Sequence, residues 1–204
     1  MKTRKLFFTA LVIVAMYGCK KEDKSTPATP STPAPAASEY VMTINDGSGT
    51  ITMQEGVGSF FNTSYLSYGY GVPAEYIHEF IFEDSSGVNK MRGEIQFRKN
   101  FTLTPSNTEL DAMYKPGTYT SFVPATIDST ITIQYTESNN ITWYSETVPT
   151  VNQSGNITVT SVEAITDIYL RNKVKGTFTC KVASTVGGTT KTISGSFTTK
   201  LGVK

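Results

Sequence analysis

Val174-Lys-Gly-Thr-Phe-Thr-Cys-Lys-Val182 and Ile193-Ser-Gly-Ser-Phe-Thr-Thr-Lys-Leu201 decide the fold. In the first segment Val174, Gly176, Phe178, Cys180 and Val182 alternate with Lys175, Thr177, Thr179 and Lys181. In the second, Ile193, Gly195, Phe197, Thr199 and Leu201 alternate with Ser194, Ser196, Thr198 and Lys200. A period of two sends one set of side chains to each face of a strand. The segments match almost position by position, and a loop holding Gly187-Gly188 joins them. They predict an antiparallel hairpin with one apolar and one solvated face.

The same period continues upstream. It predicts strands at Tyr40–Asn45, Thr50–Gln54, Glu75–Glu83, Lys90–Arg98, Thr118–Phe122, Thr130–Thr136, Ile141–Ser145 and Asn156–Val162. Turn signals part them, among them Asn45-Asp46-Gly47, Lys115-Pro116-Gly117 and Ser138-Asn139-Asn140. One short helix is predicted, because Ser106 and Glu109 have capping-box spacing, Leu110 and Met113 form an apolar pair, and Pro116 stops the run. Ala164 to Asn172 fits either a helical turn or a bent strand. About ten short strands predict an all-β domain over 39–204, an antiparallel two-sheet β-sandwich, with a closed β-barrel as the alternative. Alternation places Cys180 inside it.

Residues 1–38 are of a different kind. Lys2, Arg4 and Lys5 precede an apolar run from Leu6 to Met16, too short to span a bilayer and of signal-peptide length. Ala15-Met16-Tyr17-Gly18-Cys19 follows, and then Lys20-Lys21-Glu22-Asp23-Lys24. This stretch resembles the lipobox of bacterial lipoproteins. The resemblance implies a signal peptide over 1–18, cleavage before Cys19, a diacylglycerol on the Cys19 thiol and an acyl chain on the new amino group. Two or more chains give stable membrane anchoring where one does not. The charged patch is similar to the signal that sends many Bacteroidota lipoproteins to the outer face of the outer membrane, which implies the cell surface, with the periplasmic face as the alternative. The final hairpin, from roughly Gly155 to Val203, is also similar to the C-terminal half of small Bacteroidota-type outer-membrane lipoproteins, a likeness that carries no activity across. From 19 to 38 the chain is a linker rich in Ser, Thr, Pro and Ala, with prolines at 27, 30, 33 and 35. Such a composition stays disordered and extended.

Lys2, Arg4 and Lys5 belong to the leader; without them 15 basic side chains face 17 acidic ones, a net charge near −2. No basic patch supports nucleic-acid binding. There is one histidine, His78, in a strand pattern where Tyr76, His78, Phe80 and Phe82 share a face, and no Gly-x-Ser-x-Gly elbow accompanies it. Zinc wants several His or Cys ligands, so no metal site is expected. Asn45-Asp46-Gly47-Ser48-Gly49 offers oxygens to calcium but lacks the spaced acids of a calcium loop, and a hairpin turn accounts for it. Glu79 and Glu94 are the carboxylates that would face each other if their strands pair, the arrangement a hydrolase needs. Asp128-Ser129-Thr130 resembles the short O-glycosylation sequon of Bacteroidota. Among aromatics, Ser59 to Tyr76 holds Tyr65, Tyr68 and Tyr70 among Gly and Ser in a stretch of poor strand signal. Tyrosine gives broad contact at low entropy cost, as binding loops exploit.

The expectation is thus a non-catalytic, membrane-anchored module of the cell envelope, with no cofactor beyond the lipid on Cys19. It binds a glycan or an envelope protein through Tyr65, Tyr68 and Tyr70. A carboxylate-dependent hydrolase and a purely structural envelope component are the alternatives.

Overall fold

The computed structural model describes residues 38–69, 73–84, 86, 91–120, 129–145 and 155–202. Cys19, the linker as far as residue 37, and Tyr70 lie outside them. The described chain is all-β and antiparallel. Its strands are β1 (Val41–Asn45), β2 (Thr50–Gln54), β3 (Phe60–Tyr68), β4 (Ala74–Asp84), β5 (Arg92–Phe101), β6 (Gly117–Tyr119), β7 (Ser129–Thr136), β8 (Thr142–Tyr144), β9 (Gly155–Ala164), β10 (Asn172–Ser184) and β11 (Thr190–Leu201). Helix α1 (Asn107–Asp111) and a 3₁₀ turn (Ala112–Tyr114) stand between β5 and β6. Both halves of the expected capping box form: Ser106 Oγ accepts from the Glu109 N–H, and the Glu109 carboxylate accepts from the Ser106 N–H. Residues 165–171, left open between helix and strand, form neither.

The eleven strands of the described residues belong to one sheet, nine of them in the order β2-β1-β11-β10-β8-β7-β5-β4-β3, with β9 and β6 off this path. Of the two architectures the pattern allowed, this one continuous sheet is nearly barrel-shaped and fits the barrel alternative, although its end strands β2 and β3 are not paired to close it. β10 makes the branch that curls it: Asn172 to Cys180 pair with β9, while Ala183 and Ser184 pair with β8. A bulge where β9 passes Lys175 and Gly176 adds local twist. β9 in turn carries β6.

The hairpin that decides the fold also explains its own repeated Gly-x-Phe. β10 and β11 pair so that Gly176 lies opposite Phe197 and Phe178 opposite Gly195. A side chain on either glycine would run into the partner's phenyl ring; on Gly195 it would also strike the Thr43 carbonyl of β1. The outer edge of each ring lies against the other strand's glycine. Phe197 then meets Phe80 of β4 from across the interior, ring centres 5.1 Å apart. On the same inner side Met42 and Met53 press onto Gly93 of β5, and Asn62 of β3 donates to Thr199 Oγ1 of β11 at 3.1 Å. These contacts hold the two ends of the sheet around one core.

One end of that core is stopped by the helical segment, through buried Leu110, Met113 and Tyr114. Tyr114 Oη donates to Asp111 at 2.6 Å and accepts from Asn172 Nδ2 at 3.0 Å, which ties the segment to β10. At the other end stands Lys191, an inward-facing member of β11. Its ammonium lies 3.9 Å from the Trp143 ring centre and 4.9 Å from that of Tyr135. It pairs with Asp46 at 3.0 Å and Glu137 at 2.5 Å. Asp46 is held well below the usual carboxylate range by the Ser48 hydroxyl and by Lys191. Glu137 is raised by burial but ends below its ordinary value, because Lys191 outweighs that effect. Cys180 is buried, as the alternation requires, and burial pushes its thiol up to about 12.

Gly195→Ala should destabilise the domain by about 1–3 kcal/mol through overpacking, whereas Thr177→Ala, on the exposed face of β10, should change it by less than about 0.5 kcal/mol. Denaturant titration of the two variants checks this.

Candidate functional site

Alternation gives each strand of the barrel an outer face, and on β3, β4, β5, β7 and β8 that face carries a compact polar array. Register sets it out in rows. Tyr65 lies opposite Glu79, Glu79 opposite Gln96, and Gln96 opposite Thr132, so one row crosses four strands. At the strand spacing of a sheet it runs for roughly 15 Å. The next row is Thr63, Ile81, Glu94, Gln134 and Tyr144.

Gln96 is the hub. Its amide nitrogen donates to Glu79 Oε2 at 3.0 Å and also to Glu94 Oε1. Its amide oxygen accepts from Arg98 Nε at 2.9 Å and from Thr132 Oγ1 at 3.2 Å. With carboxylates on one side and donors on the other, only one orientation of the amide satisfies all four. Glu94 is buried and paired with Arg92 Nη2 at 2.7 Å. Burial first, and then the charge of Glu94, raises the Glu79 carboxyl above its ordinary value, against the Gln96 bond that lowers it. Beside this hub Glu94, Gln96, Arg98, Thr132, Gln134 and Tyr144 line a dimple of about 40 Å³, room for about one water. Tyr65, half exposed, closes the row with its ring.

Tyr65 and Tyr68 do not sit together in a loop. The stretch read as an irregular connection is a nine-residue strand, β3, and Tyr65 and Tyr68 stand on its opposite faces. Strand signal was weak because Asn62, Ser64 and Ser67 interrupt it; pairing with β4 along its whole length supplies what propensity did not. Tyr68 stacks on Tyr76 at 5.8 Å. Tyr70 lies outside the described residues. Glu79 and Glu94 are brought together, but side by side on one face and bridged by Gln96. Gln96, Arg98 and Thr132 gave no signal of their own, since their grouping exists only across strands.

The remaining candidates resolve structurally. Asp46 Oδ1 accepts from its own turn, from Ser48 N at 3.0 Å, Ser48 Oγ at 2.6 Å and Gly49 N at 3.2 Å. It borders an open hollow of about 300 Å³ at the Lys191 end, lined also by Thr50, Met91 and Asn139. Among the described residues no three His, Cys, Asp or Glu side chains gather as metal ligands. Trp143 is nearly buried against Tyr135. No helix of the described residues is long and apolar enough to cross a membrane. Compared with protein-family models, curated proteins and solved structures, the chain matches none.

His78 points into the core, with Tyr114 edge-on at 5.2 Å. It is 1% exposed, and neither ring nitrogen has a hydrogen-bond partner. Burial drives its pKa down to about 4, with Asp111 opposing. The native state therefore resists the proton that the unfolded chain accepts below about pH 6.5. Stability attributable to His78 is complete above that pH, falls between about pH 6.5 and 4, and levels off below, a loss of about 3 kcal/mol. His78→Phe should remove that component, so wild type minus variant, measured by urea titration from pH 7.5 to 4, should show the slope.

Proposed function

We propose that this protein is a lipid-anchored module of the cell envelope, held at the outer membrane through Cys19, whose barrel binds a glycan on the outer face of β3–β8. The row Tyr65–Glu79–Gln96–Thr132 carries the reading. A pyranose offers one apolar face and a rim of hydroxyls. Tyr65 provides a ring for the first, while Glu79 and Arg98, held in place by Gln96 and the buried Thr132, present an acceptor and donors for the second. Such pairing of ring and planar polar groups on a rigid sheet costs little ordering on binding.

Several features favour binding over hydrolysis. Glu79 and Glu94 share the Gln96 amide side by side on one sheet face, whereas glycoside cleavage uses carboxylates placed on either side of the scissile bond. Glu94 is already committed to Arg92. Leader, lipobox-like Cys19 and proline-rich linker supply the anchoring half: the linker would hold the face some tens of ångströms off the membrane at polyproline spacing, with the cell surface preferred over the periplasmic side.

Two measurements test the proposal. On a panel of immobilised polysaccharides, Tyr65→Ala in the full chain should cut retention at least tenfold with nearly unchanged melting temperature, and Gln96→Ala, which also strips partners from buried Glu94 and Thr132, should cut retention at least tenfold while lowering the melting temperature. Tyr68→Ala, on the opposite face, should retain binding. Unaltered retention in all three sinks the glycan face and leaves a structural role. In cells, Cys19→Ser should move the chain from the membrane fraction to the soluble one.

A further inference from the structure

β3 ends the ladder order, and among the described residues no strand is paired with its far edge. Its backbone phase is fixed at both ends. Gly69 N–H donates to the Glu75 carbonyl of β4 at 2.8 Å, while Phe60 turns away from β4: its N–H donates to the Val57 carbonyl and its carbonyl accepts from the Gly56 N–H. In an antiparallel ladder successive residues alternate in direction. The odd-numbered residues of β3 therefore bond to β4, and the N–H and C=O groups of Asn62, Ser64 and Leu66 face the open edge.

Edges are normally guarded by brevity, charge, proline or a bulge. β6 has three residues and β2 five, whereas β3 has nine. Phe60-Phe61-Asn62-Thr63-Ser64-Tyr65-Leu66-Ser67-Tyr68 holds no charge and no proline, and its pairing with β4 runs without a register shift. It also exposes Phe61 and Tyr65 on the outer face.

We infer that β3 is a self-association edge, and that its occupant is β3 of a second copy, antiparallel about a twofold axis at Ser64. Such an interface must be self-complementary. Centred on Ser64 it is: Asn62 meets Leu66 of the second copy, Ser64 meets Ser64, and Leu66 meets Asn62, all of them edge-facing residues able to exchange ladder bonds. With no charge in the strand, no like charges meet across the axis. The preceding linker is a poor occupant because its prolines at 27, 30, 33 and 35 withhold donors from a ladder. Pairing makes the outer faces of two copies continuous, with their Tyr65 residues on a diagonal roughly 7–8 Å apart. It stands independently of the ligand bound there.

The test is cross-linking of the full chain carrying Cys19→Ser, in which Cys180 is buried. Under mild oxidation Ser64→Cys should give mostly covalent dimer, because hydrogen-bonded antiparallel partners lie within disulfide reach. Thr177→Cys, more exposed than Ser64 but on central β10, should give at least tenfold less, and adding Thr63→Lys to Ser64→Cys should suppress the dimer tenfold. A monomeric Ser64→Cys chain with normal melting temperature, or equal dimer from Thr177→Cys, overturns the inference. Should Ser64→Cys misfold, sedimentation of the Cys19→Ser chain alone decides: a dimer supports it, and a monomer up to about 100 μM refutes it.

Discussion

Two phenyl rings exchanged over two glycines sit at the centre of this fold. β10 and β11 are interior strands of the sheet, and three other strands pair directly with one of them. β1 pairs with β11; β9 and β8 share β10. Because Phe178 and Phe197 each lie over the opposite strand's Gly, both rings face the interior without pushing the strands apart, and Phe197 is free to meet Phe80 from the far side. The glycines cost backbone entropy in a strand, and the cost is offset by covering them with aromatic surface.

The two ends of the barrel are closed by different chemistry. Tyr114 and its helical segment cover one end with apolar area, tied by a hydroxyl that both donates and accepts. Lys191 covers the other as a cation among two rings and two carboxylates. Paired and still partly open to solvent, it avoids the penalty of an isolated buried charge. His78 and the Trp143 indole nitrogen are left unsatisfied, and His78 is a polar ring placed where the inner face of β4 calls for an aromatic.

The outer face owes its form to the same register. Gln96 orders two carboxylates, an arginine and a threonine only because β4, β5 and β7 bring them alongside. One-residue slippage of any of these strands would send that strand's share of the array inward. The buried inner face forbids such slippage, so core packing is what fixes the surface site.

Alternation alone placed Val174 to Val182 and Ile193 to Leu201 on the right faces, found eight further strands within a few residues, and buried Cys180. It did so because a period of two is a local property of the chain. It missed β3, whose small polar residues mask the period, and it placed Lys191 in a loop although that residue continues the inward set of Ile193 and Gly195. It could not choose between sandwich and barrel, since both use the same alternation. That choice, the splitting of Tyr65 from Tyr68, and the meeting of Glu79 with Glu94 through Gln96 were decided by tertiary structure, because strand order and register are set by contacts between residues far apart in sequence.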